Sequence, residues 1–212
     1  MDSLILFIIV LLATAAAQIL GGVFVWFLMR RFCHNLRTII IIEISLMFLV
    51  SVFLIEESLK VTPVAILFIV IGVLAVHVLN NIIPHKHSCG PERVSLLVLV
   101  AMCFHELPEG LAFGAAFLLN PYLGLLTAGV MALHNIPEGA VIAIPFFAKK
   151  NFGGGIQAVA LTQVFYIAGG LAAYFLLMNI PAGFQALSLA FAAGAMLYII
   201  MEEYLRMGKC DA

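Results

Sequence analysis

Apolar runs of about twenty residues follow one another along almost the whole chain, and no other feature constrains the fold as strongly. An α-helix of about 20 residues crosses the roughly 30 Å of hydrocarbon in a bilayer. Seven such runs are present, at 4–29, 38–59, 62–83, 94–118, 122–147, 154–178 and 185–205. The sequence therefore predicts an all-α, polytopic membrane bundle of seven transmembrane helices.

The composition excludes several other classes of protein. Of the 212 residues, 65% are hydrophobic and 10% are charged, whereas soluble chains have about 45–50% and about 25%. Ten Lys and Arg against eleven Asp and Glu leave no basic surface that would attract nucleic acid. The runs are too long and continuous for an outer-membrane β-barrel. Because the connections are short, we expect residues 1–212 to form a single transmembrane domain.

The basic residues indicate how the chain is oriented. With the N-terminus outside, nine of the ten Lys and Arg lie on the inner side and only Lys60 lies on the outer side. This asymmetry is typical of membrane proteins, whose cytoplasmic segments are enriched in basic residues. We therefore expect an integral protein of the plasma (inner) membrane with a cytoplasmic C-terminus. On this topology the four cysteines are predicted to form no disulfide, since three face the reducing cytoplasm and Cys103 lies within a span.

A six-residue motif occurs twice, near the centres of the fourth and fifth runs. The first copy is His-Glu-Leu-Pro-Glu-Gly at 105–110, and the second, 29 residues later, is His-Asn-Ile-Pro-Glu-Gly at 134–139. A carboxylate at the bilayer midplane costs about 2.5–3.5 kcal/mol on insertion scales. The three glutamates of the motifs therefore need partners or a hydrated cavity and should not face lipid. The closing glycines, Gly110 and Gly139, leave room for close helix contact.

The spacing within each motif places its polar side chains on one helix face, since residues four apart lie one turn apart. One stripe holds His105, Glu106 and Glu109, and the other holds His134, Asn135 and Glu138. Because consecutive spans run antiparallel, an approximate two-fold axis in the membrane plane relates the stripes. We expect His105 level with Glu138 and Glu109 level with His134, in two layers about 6 Å apart.

Imidazole and carboxylate groups in such a cage suit a borderline divalent cation, such as Zn²⁺, Fe²⁺, Mn²⁺, Co²⁺ or Ni²⁺. Three ionised glutamates carry more negative charge than one divalent ion needs and offset most of the charge of two, so the number of bound ions stays open. An inverted repeat with its site at the midplane is the layout of a transporter. The pattern therefore predicts a divalent-metal permease without a separate cofactor, whose partners are the lipid bilayer and its metal ions.

The paired motifs resemble those of the ZIP (Zrt/Irt-like) metal-ion transporters, in particular the prokaryotic branch with two His-Asn-x-Pro-Glu-Gly motifs. The resemblance covers most of the chain: residues 54–58 look like the family's Leu-Ile-Pro-Glu-Ala, and residues 189–203 are similar to its small-residue helix ending in an acidic pair. It implies transport of Zn²⁺, or of another divalent metal such as Fe²⁺, Mn²⁺, Co²⁺ or Cd²⁺, toward the cytoplasm. The family's cytoplasmic loop histidines would be His85 and His87.

The resemblance also implies a set of metal ligands, namely Met47, His105, Glu109, His134 and Glu138, with a second subsite around Glu106, Asn135 and the shared glutamates. The chain departs from the family pattern at three places. Glu106 stands where the family usually has asparagine. The sixth span has no Glu-Pro pair, so Tyr166 or Gln163 would take the place of its carboxylate. Seven spans are predicted where the family has eight.

Other interpretations of these residues stay open. An intramembrane metallohydrolase would use Glu106 as a base beside a metal held by His105, although its usual His-Glu-x-x-His pattern has Glu109 in the last position here. A non-transporting metal-binding subunit is the third possibility, and a homodimer is one possible oligomeric state. Glu106 and Asn135 could instead join helices, and Met47 could fill the core. His77, Asn80 and Asn81 could line an exit path or form an interfacial patch.

Overall fold

The computed structural model describes residues 2–32, 36–82 and 94–210, which form seven α-helices and, within those ranges, no strand. The helices are α1 (Asp2–Phe32), α2 (Leu36–Val61), α3 (Ala65–Ile82), α4 (Val94–Leu119), α5 (Pro121–Ala148), α6 (Phe152–Leu177) and α7 (Ala182–Cys210). Each corresponds to one of the predicted apolar runs, so the prediction of an all-α bundle is confirmed. The loop histidines His85 and His87, and Cys33 and Cys89, lie outside the described residues; Cys103 is buried and unbonded.

Four helices contain segments that are long and apolar enough to cross a bilayer: Ser3–Phe27, Pro121–Ile144, Phe152–Leu177 and Ala182–Glu202. A shorter apolar segment, Ala65–Leu79, lies in α3. Large apolar side chains such as Phe27 and Leu176 point outward, 72% and 71% exposed, while Gln18 and Glu43 are buried. This inside-out distribution is that of a helical bundle in lipid. That α2, α3 and α4 also span the membrane stays a prediction.

The two motif helices are joined by a very short connection. Asn120 separates α4 from α5, and its side chain accepts a hydrogen bond from the backbone N–H of Tyr122 at 2.8 Å. Pro121 occupies the first position of α5, where a missing N–H costs nothing. Because one residue makes the turn, α4 and α5 are antiparallel neighbours, as the inverted repeat requires.

The remaining helices surround this pair in a symmetric way. The α1 helix packs along α5 and α6 packs along α4, while α2 contacts α5 and α7 contacts α4. The α3 helix lies against α7. An approximate two-fold axis that exchanges α4 with α5 would therefore also exchange α1 with α6 and α2 with α7. The inverted repeat predicted from the motifs extends to the helices around them.

The glycines that close the two motifs allow the outer helices to approach closely, as predicted. A Cβ atom on Gly110 would overlap the carbonyl oxygen of Tyr166 in α6, and one on Gly139 would overlap the carbonyl oxygen of Gln18 in α1. The contacts are reciprocal, because Gly169 faces Leu107 of the first motif and Gly21 faces Ile136 of the second in the same manner. Each motif helix is thus fixed against one outer helix through backbone contacts.

This packing leads to a stability prediction. Gly139→Leu should destabilise the bundle, because a side chain there cannot be placed without separating α1 from α5. Overpacking of this kind costs about 1–3 kcal/mol or more. Thermal unfolding of purified protein in detergent would measure it as a lowered midpoint. Gly129→Leu, on the same helix but with nothing within 4 Å of its Cβ position, should leave the midpoint unchanged, and equal losses in both variants would contradict the interpretation.

Candidate metal centre

Four motif side chains meet between α4 and α5. His105 and Glu109 come from α4, His134 and Glu138 come from α5, and one ligand atom from each lies within 4.8 Å of all the others. Each helix supplies a histidine and a glutamate four residues apart, so both side chains project from the same face. All four are at most 1% exposed. The structure therefore brings together His105 and Glu109 of one predicted stripe and His134 and Glu138 of the other.

Glu109 occupies the middle of this cluster. Its Oε1 lies 3.0 Å from Nε2 of His105 and 3.1 Å from Nε2 of His134. Glu138 completes it, with Oε2 3.4 Å from Nε2 of His134 and Oε1 3.8 Å from Nε2 of His105. The two imidazole rings are nearly parallel, at 19°, with centroids 6.1 Å apart.

The structure confirms the predicted contacts between the two helices, which join Glu109 to His134 and Glu138 to His105. It does not show the two separate layers of ligands that the sequence predicted. The long glutamate side chains reach along the helix axis, so that Glu109 contacts both imidazoles at once. The four groups consequently form one compact cluster instead of two planes about 6 Å apart.

The spacing of the ligand atoms fits a single divalent ion. Zn²⁺ binds imidazole nitrogen and carboxylate oxygen at about 2.0–2.2 Å in tetrahedral geometry, which puts neighbouring ligand atoms about 3.3 Å apart. The N–O distances in the cluster, 3.0 to 3.8 Å, bracket this value. Two ionised glutamates would also balance the charge of one divalent ion. The four side chains thus have the ligand types and spacing of a possible site for a divalent metal ion.

Two further predicted ligands, Glu106 and Asn135, are completely buried beside the cluster. Glu106 is not a member of the four-residue group; its Oε1 accepts a hydrogen bond from Nε2 of Gln163 at 2.7 Å. The side-chain amide of Asn135 donates to the carbonyl oxygen of Thr14 in α1 at 3.5 Å. Their role as ligands stays a prediction.

Met47 on α2 is the remaining predicted ligand. It is fully buried in the apolar core, and its role as a ligand also stays a prediction. One turn before it lies Glu43, only 1% exposed, which sequence reasoning missed. The signal was present, since Glu43, Met47, Ser51, Leu54 and Ser58 recur at helical spacing and all are buried.

Two polar side chains of α6 were predicted to take the place of the missing carboxylate, and they make different contacts. Gln163 reaches the motif carboxylate Glu106, whereas the hydroxyl of Tyr166 donates to Sδ of Met131 at 3.9 Å. Gln163 is therefore the sixth-helix residue in direct contact with a motif glutamate. Thr162 of α6 contacts α1, because its Oγ1 accepts a hydrogen bond from Nε2 of Gln18 at 3.4 Å. Sequence reasoning missed Gln18 and Thr14, although both interrupt the first apolar run one turn apart.

Two polar residues of α3, His77 and Asn81, contact each other, and His77 also contacts α7. Nδ1 of His77 lies 3.1 Å from the hydroxyl of Tyr198 in α7, and Nε2 lies 3.1 Å from the amide nitrogen of Asn81. Because both ring nitrogens are engaged, this contact favours a structural role for His77 over a metal-exit path.

The chain is similar to proteins of known function. No family model matches the chain. Over 146 residues it is 33% identical to the zinc transporter GufA of Myxococcus xanthus, an alignment that covers 65% of the chain and 58% of that protein. Over 154 residues it is 30% identical to the zinc transporter ZupT of Stenotrophomonas maltophilia, covering 65% of the chain and 57% of that protein. The similarity to two zinc transporters agrees with the resemblance of the paired motifs to those of the ZIP family.

The chain spans just under three fifths of the length of the curated relatives it matches. Those relatives are named as zinc transporters. Apolar helices of spanning length and the similarity to these transporters together indicate an integral membrane protein.

Proposed function

We propose that this protein is a transporter of the ZIP type, which moves Zn²⁺, or another divalent transition metal, across the membrane toward the cytoplasm by way of the His/Glu cluster. The observation that carries the proposal is the burial of two histidines and two glutamates within 4.8 Å of one another, on two antiparallel helices. The names of the relatives support zinc as the ion. The proposed ligands are His105, Glu109, His134 and Glu138.

The chemistry of the ligand set suits passage of an ion. Imidazole and carboxylate groups bind borderline divalent metals, whereas the soft thiolates that select Cu(I) are absent from the four-residue group. Binding at a transport site must be strong enough for the ion to enter and weak enough for it to leave. Three features of the proposal come from the sequence alone: an outer N-terminus, a cytoplasmic C-terminus and one transmembrane domain over 1–212.

Purified protein in liposomes that contain a zinc-sensitive dye would test the function. We expect added Zn²⁺ to raise the dye signal many-fold above that of protein-free liposomes. Binding of Zn²⁺ to the protein without any flux would contradict transport and favour a metal-binding subunit.

Acidification should slow this flux. Histidine and glutamate must be deprotonated to bind a metal, so protons compete with the ion for the cluster. The rate is therefore expected to fall as the outside is acidified from about pH 7.5 to about pH 5. The initial rate at a fixed free Zn²⁺ concentration measures the effect; a rate that does not change over this range would count against the ligand set.

A further inference from the structure

Thr127 on α5 has a buried hydroxyl that lacks a partner. The side chain is fully buried, and its Oγ1 forms no hydrogen bond within the described residues. The other buried serine and threonine hydroxyls of the described ranges each donate to a carbonyl three or four residues back in their own helix, namely those of Thr14, Ser51, Ser58 and Thr162. This is the usual bond of a hydroxyl within an apolar helix. Because a buried polar group costs free energy until it is satisfied, the exception at Thr127 indicates a partner from outside the chain.

Thr127 lies on the same side of α5 as the proposed ligand His134. The two residues are seven positions apart, almost two full turns, so their side chains project in nearly the same direction, about 10 Å apart along the helix axis. Leu123 and Met131, one turn to either side of Thr127, belong to the core that α5 forms with α2 and α4. Thr127 therefore lies inside the bundle, between the metal cluster and the turn at Asn120 that joins α4 to α5.

The part of α4 that faces Thr127 provides no polar side chain. Two contacts set the level of the helices: Glu109 meets His134, and the backbone of Phe117 faces Gly124. Because α4 and α5 are antiparallel, Thr127 lies opposite residues 112–116, whose sequence is Ala-Phe-Gly-Ala-Ala. A hydroxyl can donate one hydrogen bond and accept others, so a water molecule, or the water carried by an ion, can satisfy it at this place.

We propose that Thr127 lies on the ion path and that its hydroxyl binds the water shell of the divalent ion before the ion reaches the His/Glu cluster. This inference rests on the proposed function and adds a residue that serves passage to the same site. A neutral hydroxyl binds a hydrated ion without the charge that would hold it in place, which suits a position that the ion must leave again. On the predicted topology this is the outer side of the cluster, where α5 begins. Thr127 should therefore govern the rate of passage and not the equilibrium affinity of the cluster.

Thr127→Val tests this role, since it keeps the shape of the side chain and removes only the hydroxyl. We expect the initial rate of Zn²⁺ entry into liposomes to fall about tenfold, the effect of about one hydrogen bond on a rate, while the equilibrium affinity for Zn²⁺ in detergent stays unchanged. Thr127→Ser, which keeps a hydroxyl, should retain the rate. The control is Thr62→Val, the same change in the turn between α2 and α3, which should also transport at the unmodified rate.

Two results would overturn the inference. One is a Thr127→Val variant that transports at the unmodified rate. The other is a variant that loses zinc binding together with flux, because the hydroxyl would then support the cluster itself. An unmodified protein without any flux would overturn the proposed function instead, so the two failures are distinguishable.

The access of a water-soluble reagent to position 127 gives a second measurement on a different variant. Thr127→Cys places a thiol where the hydroxyl lies, and a charged methanethiosulfonate reagent modifies thiols that water can reach. With the reagent on both sides of the liposomes, we expect the flux of this variant to be blocked, relative to unmodified protein treated in the same way, and added Zn²⁺ to slow the block. Leu126→Cys is the control, because the neighbouring side chain is 43% exposed on the outer surface of the bundle, and its flux should persist. If the reagent leaves the flux of Thr127→Cys unchanged, position 127 is not on a hydrated path.

Discussion

Glu109→Gln is expected to abolish zinc flux. Oε1 of Glu109 lies within 3.1 Å of both imidazoles, so this one carboxylate joins the ligands of the two helices. The substitution keeps the shape of the side chain but removes its negative charge and places an amide in the centre of the cluster. Loss of residues that merely support a metal ligand already costs about 10–100-fold in affinity, and we expect the loss of this ligand to cost at least about 100-fold. Flux and equilibrium zinc binding would both be measured.

The matched control is Glu56→Gln. Glu56 lies on α2, where its side chain is 63% exposed and forms an ion pair with Lys60 at 2.9 Å. The chemical change is the same, but an exposed ion pair is worth little, so flux should stay within about twofold of the unmodified rate. If Glu109→Gln, correctly folded by gel filtration, transports as fast as this control, the cluster is not on the ion path.

His134→Ala should have the second-largest effect. Its Nε2 lies 3.1 Å from Glu109 and 3.4 Å from Glu138, so truncation removes a proposed ligand and the imidazole that contacts two buried carboxylates. Three ligands remain, and we expect zinc binding to weaken by about 100-fold and flux to become undetectable. Calorimetric titration with Zn²⁺ and the liposome assay would report the two quantities separately.

For this variant the control is His77→Ala, a histidine whose ring is held by Tyr198 and Asn81 at the contact of α3 with α7. We expect it to lower thermal stability modestly and to retain zinc binding. Equal loss of binding in both histidine variants would show that the effect comes from the fold of the bundle and not from a ligand at position 134.

Much of the fold could be predicted because the hydropathy, the spacing within the motifs and the length of the connections all indicated the same structure. The apolar runs gave the seven helices, and the four-residue spacing in each motif brought His105 and Glu109 to one face of α4. The single residue between α4 and α5 made the pair antiparallel. These features depend on local periodicity and chain connectivity, which are present in the sequence itself.

The details that could not be predicted depend on which helices touch. Glu109 contacts both histidines because of its rotamer and the closeness of the two helices, neither of which is fixed by spacing. The contact of Gln163 with Glu106 joins residues 57 positions apart, and no periodicity indicates that α6 packs on α4. Glu43 was missed because most residues at 39–50 are apolar, and a hydropathy average over such a segment conceals one carboxylate.

The glycines that close the two motifs connect ligand geometry to parts of the protein that carry no ligand. Gly110 and Gly139 directly follow the proposed ligands Glu109 and Glu138. Because they have no side chain, they also set how closely α6 packs against α4 and α1 against α5. A substitution that shifts either outer helix would change the distances between the four side chains of the cluster without replacing any of them. Ion preference in this protein could thus evolve from its periphery, by small adjustments in α1 and α6.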